Sequence, residues 1–207
     1  MKQLIQFGCG MCAPTTWRNF DAGPAFWLEK TFPFTKSMLI QRGYPDYPSN
    51  IEYGDVIKGL PVAPASADAV YCSHVLEHLT LEEFRTTLRN VHTYLASGGT
   101  FRMVLPDIAF LIKEYVESSD PYAASRFMRD SYLGYETQDH GLRRIFYAMF
   151  SRAKHLWMWD EKNITAELAA AGFTDIRRAA FGDDPLFQAV EDEGRWTNNL
   201  GMSCRRP

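Results

Sequence analysis

The chain has 207 residues, 46% of them hydrophobic, with 22 Lys and Arg against 25 Asp and Glu for a net charge of -3. That is enough chain for one domain with a full apolar core, and too apolar a chain for disorder. The charge balance argues against a general nucleic-acid binder, which carries a basic surplus, and no apolar run approaches the roughly 18 residues of a membrane span.

In chain order, Gln3 to Phe7 is a short apolar strand ending in Gly8-Cys9-Gly10. This start leaves no room for a signal peptide, so a cytoplasmic setting is the expectation, with the four cysteines reduced. Trp17 to Asp21 reads as a second strand ending in a carboxylate. Ala25 to Lys36 is amphipathic, helical until Pro33 disturbs it. Arg42 to Asn50 is a loop by its prolines and glycine, and Ile51 to Asp55 is a third strand that again ends in an acid. Ala67 to Cys72 is a buried strand, followed by Ser73 and a stretch from His74 to Leu79 that opens helically. Thr80 and Glu83 form a capping box for a helix with Phe84, Leu88, Val91 and Leu95 on one face, and Ser97-Gly98-Gly99 is expected to end it. Thr100 to Pro106 is a strand and Ile108 to Glu117 a helix. Ser118 to Lys154 is helical in pieces and has the character of an insertion, at about 118–155 in a single domain spanning 1–207. Asn163 to Ala171 is a helix closed by Gly172, Thr174 to Arg178 a strand, and Leu200 to Arg205 a final strand.

Strands alternating with helices predict an α/β fold with a mostly parallel sheet, whose last strand is antiparallel because no convincing helix precedes it. Such sheets bind ligands at the carboxyl ends of their strands, where the strand order reverses. That rule gathers Gly8 to Gly10, Asp21, Asp55 and Cys72 to His74 around one crevice. Gly8 and Gly10 let backbone approach a ligand. Asp21 stands where a ribose would present two hydroxyls to a carboxylate, and Asp55 where a carboxylate and the next N–H, that of Val56, would meet an adenine. Each signal is weak alone, and a tight turn and solvated turn acids explain them equally; their order along three successive strands carries the case.

Two other constellations bear weighing. Cys9-Gly10-Met11-Cys12 is a Cys-x-x-Cys after a strand, but Pro14 stops the helix that would lower a thiol pKa. A metal reading would add Cys72 and His74; core or pocket-lining cysteines are preferred, and no metal is expected. His74 and His78 share a helical face with Glu77 on another side, which is not the zinc-protease pattern; helix-start roles are the expectation for Glu77 and His78. The aromatic run His155 to Asp160 is either a packing anchor or a substrate wall.

The stretches Gly54-Asp55, Gly59-Leu60-Pro61, Ala67 to Leu79 with its Val-Leu-Glu-His-Leu, and Leu95 to Arg102 with its glycine pair resemble the core of the type 11 class I S-adenosylmethionine-dependent methyltransferases. Gly8-Cys9-Gly10 and Ala171-Gly172-Phe173 fit the same pattern, so the resemblance covers nearly the whole chain and is thinnest over Ser118 to Lys154. It implies a Rossmann-like three-layer sandwich with a seven-stranded sheet and an antiparallel last strand. It further implies S-adenosylmethionine as cofactor, with Gly8, Cys9 and Gly10 near the methionine part, Asp21 near the ribose, Asp55 and Val56 near the adenine, and Ser73 and His74 beside the methyl donor. One departure stands out: only ten residues separate Gly10 from Asp21, so the family's long first helix cannot fit. This variant resembles a methyltransferase subgroup in which that helix is cut to a loop.

Methyl transfer is a direct displacement from a sulfonium, whose leaving group is already good. Positioning the nucleophile about 3 Å from the methyl carbon supplies most of the acceleration, with a base needed only for an acceptor that must lose a proton. His74 and His140 are the candidate proton acceptors. Arg143, Arg144 and Trp157 are candidate contacts to a small-molecule or saccharide acceptor, on an insertion expected to cover the site. The rivals are a degenerate methyltransferase fold that only binds, favoured by the shortened loop, and a nicotinamide oxidoreductase, disfavoured by the missing third glycine.

Overall fold

The computed structural model describes residues 2–134, 136 and 154–207. Seven strands form one sheet in the order β3-β2-β1-β4-β5-β7-β6: β1 Leu4–Phe7, β2 Arg18–Asp21, β3 Ile51–Tyr53, β4 Ala67–Ser73, β5 Leu95–Pro106, β6 Thr174–Arg178 and β7 Asn199–Arg205. The first five pair in parallel, and β7 runs antiparallel to both β5 and β6. This is the expected class I methyltransferase sandwich. The chain winds outward from β1 to β3 and returns to β4 on the other side of β1, so the order reverses between β1 and β4, the place where such sheets open a crevice.

Both faces of the sheet are covered, which is why β4 is buried almost end to end. Its alternation divides the side chains between two cores. Val70 and Cys72 join Phe7, Phe101 and Met103 under helix α3 (Leu81–Tyr94) and helix α6 (Glu161–Ala170). Ala69 and Tyr71 join Trp17, Phe187 and Trp196 on the other face. Helix α3 starts where the capping box places it: Thr80 Oγ1 accepts the Glu83 N–H and Glu83 accepts the Thr80 N–H. Helices α3 and α6 are clasped by a two-pronged Arg85–Glu167 pair.

Three local expectations are corrected. Ser97-Gly98-Gly99 does not cap α3; the helix stops at Tyr94, and the glycines lie in a bulged stretch of β5 because the Gly98 N–H bonds Arg206 O and the Arg206 N–H bonds Gly99 O. Leu95 is accordingly in β5, paired with Ala67, rather than on the helix. The stretch from His74 to Leu79 is not an α-helix: His74 takes a left-handed backbone (φ 55°), and only Leu76–His78 forms a 3-10 turn. Pro33 disturbs the first helical region as expected, with the α-helix stopping at Thr31 just before it. Helix α1 (Pro24–Thr31) yields to a 3-10 turn with Pro33 at its first position, where a missing N–H costs nothing, and α2 (Lys36–Gln41) follows.

The missing first helix is replaced by side chains. Residues 11–16 run irregularly between β1 and β2, so their carbonyls need donors from elsewhere. Asn50 Nδ2 donates to Ala13 O, and two buried amides serve Cys12 O and Pro14 O. Gln6 Nε2 donates to Cys12 O (2.6 Å) and to Asn19 Oδ1 (2.5 Å), and Asn19 Nδ2 donates to Pro14 O and Trp17 O. Neither amide was singled out in the sequence.

After β5, Asp107 caps helix α4 (Ile108–Glu117) through the Ala109 N–H, and helix α5 is Ala123–Asp130. Most of the expected insertion, including Tyr135, His140, Arg143, Arg144, Phe146 and Tyr147, lies outside the described residues.

Candidate active site

On the β1–β3 side, the chain leaves β1 through two left-handed glycines. A Cβ on Gly8 (φ 64°) would stand 2.2 Å from Val75 Cγ2, so this glycine serves the packing of the loop after β4. Gly10 (φ 54°) has open space where its Cβ would be. Asp21 closes the loop: its two carboxylate oxygens accept the Gly10 N–H (2.9 Å) and the Gly23 N–H (2.6 Å). One lone pair on each oxygen remains for a ligand. The Gly54 N–H bonds Asp21 O, which draws the end of β3 alongside. Asp55 accepts the Ile57 N–H (3.0 Å) and faces Lys58 at 3.7 Å, while the Val56 side chain is buried in the main core. Glycines and acids thus fall along one edge in the expected order.

Cys9 is buried beside Phe26 and Ile51, and burial, reinforced by Asp21 and Cys12, pushes its thiol up to about 12. Burial also raises the Cys12 thiol. A redox or nucleophilic pair needs lowered thiol pKa values, and both of these are raised.

On the other side of the β1/β4 switch, a cavity of about 430 Å³ opens at the ends of β4, β5 and β7. His74, Glu77 and His78 line it from the β4 loop, Asp107, Phe110 and Leu111 from the start of α4, Tyr132 and His155 from the region of the insertion, and Asn199 from β7. Ser73, just before His74 in the chain, is buried. The His74 N–H bonds Val104 O and its Nε2 lies 3.1 Å from Arg195 O.

The centre of this wall is Glu77. It is 1% exposed, and neither carboxylate oxygen has a hydrogen-bond partner. Three imidazoles surround Oε1: His74 Nδ1 at 3.3 Å, His78 Nε2 at 3.9 Å and His155 Nε2 at 3.9 Å. The backbone O of Glu77 accepts the Leu156 and Trp157 N–H groups, tying this loop to the segment after the insertion. Burial opposes charge on His74, but the Glu77 carboxylate and the Arg195 carbonyl together hold it above its ordinary pKa. Burial lowers His155, with Glu77 opposing and His78 assisting. Glu77 therefore does not face away from the two histidines of its motif, as helical spacing implied. Without a regular helix, all three side chains turn to one point. The signal was present in the sequence as an acid inside an apolar run, which needs partners when buried.

Of the remaining candidates, His140, Arg143 and Arg144 lie outside the described residues. Trp157 is 39% exposed and packs at an angle on Trp159, which is fully buried against Phe84 (ring centres 4.1 Å apart). Trp159 is a packing anchor.

Among solved structures the chain is similar to PigF with SAH (15% identity, TM-score 0.51, all of this chain on 56% of that one). It is also similar to the S-adenosylmethionine-dependent methyltransferase SibL in its apo form (15%, 0.50, all of this chain on 50%) and to the citrinin polyketide synthase CMeT domain (12%, 0.51, all of this chain on 47%). At these identities the likeness establishes the fold. The chain spans about half the length of these three proteins. Comparison with curated proteins returns no match. No helix among the described residues is long and apolar enough to cross a membrane. The sequence profile of a methyltransferase domain family matches residues 21–177, well over half of the chain, and the chain belongs to that family of class I methyltransferase domains.

Proposed function

We propose that this domain binds S-adenosylmethionine over the ends of β1 to β3 and passes its methyl group, by direct displacement, to a small-molecule or saccharide acceptor in the cavity beside β4. The observation that carries this reading is the order Gly10, Asp21, Asp55 along one edge, with Gly10 and Asp21 joined directly and the cavity opening across the switch point. In this reading Asp21 receives the ribose hydroxyls on its free lone pairs, Asp55 and the Val56 N–H meet the adenine, and Gly8 to Gly10, Ser73 and His74 lie along the methionine part. His74 stands between donor and acceptor, with its ring held by Arg195 O and Glu77. Because a carbonyl only accepts, His74 Nε2 carries the hydrogen toward Arg195 O and Nδ1 faces Glu77, so to act as base for an acceptor hydroxyl His74 would have to give up one of these two contacts. His140, Arg143 and Arg144, outside the described residues, and Trp157 are kept in this reading as candidate contacts to the acceptor.

Calorimetric titration with S-adenosylmethionine, S-adenosylhomocysteine and NAD tests the donor. Both sulfur compounds are expected to bind and NAD to bind more weakly. Heat from NAD alone would turn the reading toward an oxidoreductase. Silence with all three at millimolar concentration would leave a degenerate fold.

A further inference from the structure

We infer that Glu77, His78 and His155 form a binding site for a divalent transition ion of the zinc class, on the wall of the cavity beside β4. One oxygen or ring nitrogen from each lies within 4.8 Å of the others. His78 and His155 each present Nε2 at 3.9 Å from Glu77 Oε1, too long for a hydrogen bond in either case. No proton at this geometry joins them, and the carboxylate is buried without a hydrogen-bond partner on either oxygen. A carboxylate that deep, with no hydrogen bond and His74 at 3.3 Å as its nearest ionic neighbour, is costly, and an ion is one of the few further ways to compensate it.

The orientation of His78 points the same way. Its Nδ1 lies 3.0 Å from Lys154 O, and a carbonyl only accepts, so Nδ1 carries the hydrogen and Nε2 turns a lone pair toward Glu77. A carbonyl on the far nitrogen is the usual support of a metal-bound histidine. His74 makes the matching outer contact, Nε2 to Arg195 O, and touches the same oxygen of Glu77. Two imidazoles and one carboxylate suit zinc, whose ligands stand about 3.3 Å apart around a tetrahedral centre. The two 3.9 Å separations to Glu77, and the histidine–histidine separation within 4.8 Å, would close to that value by side-chain shifts of about 0.5–1.5 Å. Three protein ligands leave a fourth position, and the cavity is where it opens. It would take an oxygen of the methyl acceptor; that last assignment alone rests on the methyl-transfer reading.

The test is a zinc titration of chelator-treated protein, alkylated at exposed Cys12 to remove its thiol, by competition with a chromophoric chelator. One ion per chain is expected. His78→Ala, whose side chain is partly exposed, is expected to weaken binding about 100-fold, and His155→Ala and Glu77→Gln likewise. His74→Ala, which removes an outer contact, is expected to cost about tenfold. Circular dichroism and melting temperature check that each variant folds, and cobalt in place of zinc should give the visible spectrum of a four-coordinate site, lost in His78→Ala. No stoichiometric zinc uptake by the wild type, or uptake that survives His78→Ala, overturns the inference. S-adenosylmethionine affinity measured on the same metal-free protein reads the donor side alone, so its failure would leave the metal site standing.

Discussion

The two sides of the switch point are built by opposite means. On the β1–β3 side, backbone makes the site: glycines in left-handed conformations, and a carboxylate whose oxygens are held by two N–H groups. On the β4–β5–β7 side, side chains make it: a buried carboxylate ringed by imidazoles, with its supports drawn from segments far away in sequence. The contrast teaches which half tolerates change in the chain. A backbone site depends on a few short turns and survives the loss of the first helix, because Gln6 and Asn19 hold the loop in its place. A side-chain site depends on every segment that carries a member.

That dependence gives the largest expected effect. Arg102 is fully buried, with Glu191 at 2.6 Å and Asp183 at 2.7 Å, and its guanidinium stacks over Trp196 and Phe187. It fastens the segment that brings Arg195 O to His74. Arg102→Met leaves Glu191 buried without its cation, with the Gly182 N–H still bonded to it, and is expected to cost about 3–5 kcal/mol of stability in denaturant unfolding. The same cluster sets an acid limit. Although burial of Asp183 favours its neutral form, Arg177, the Ala180 N–H and Arg102 together hold its pKa below the ordinary value. Its contribution is therefore complete above the unfolded-state pKa and lost as pH falls through the lowered folded one. Unfolding followed from neutral to strongly acidic pH should show this loss, and Asp183→Asn should flatten it.

The two glycines separate packing from conformation. Gly8→Ala meets Val75 and a left-handed backbone together and is expected to cost about 2–4 kcal/mol; Gly10→Ala meets only the backbone and should cost about 1–2 kcal/mol. Equal costs, read from denaturation midpoints, would contradict the close approach of the β1 and β4 loops. Smaller in stability, but direct for the donor side, Asp21→Ala and Asp55→Ala should each weaken S-adenosylmethionine binding by about 1.5–3 kcal/mol while the fold survives. In the smallest test, brief treatment of native protein with iodoacetamide followed by peptide mapping should label Cys12 ahead of buried Cys9, Cys72 and Cys204.

What could be read from the sequence follows the same division. The strands, the antiparallel last strand, the Thr80–Glu83 cap and the order of glycines and acids are local patterns, legible from neighbours. Ser97-Gly98-Gly99 misled because its partner, Arg206, sits at the far end of the chain. Glu77 misled because helical spacing was assumed where His74 turns left-handed. Arg102, a charge inside an apolar strand, signalled a need for partners as Glu77 did, but which partners, Asp183 and Glu191, lay too far along the chain to be read.

The claim that donor and acceptor occupy opposite sides of β4 is tested most directly by measuring S-adenosylhomocysteine affinity, in metal-free buffer, for the wild type, Asp21→Ala and His78→Ala side by side. The account predicts a loss of about tenfold or more for Asp21→Ala and affinity close to wild type for His78→Ala. The reverse pattern, with His78→Ala weakened and Asp21→Ala unchanged, would place the cofactor in the histidine-lined cavity and contradict the assignment of both halves.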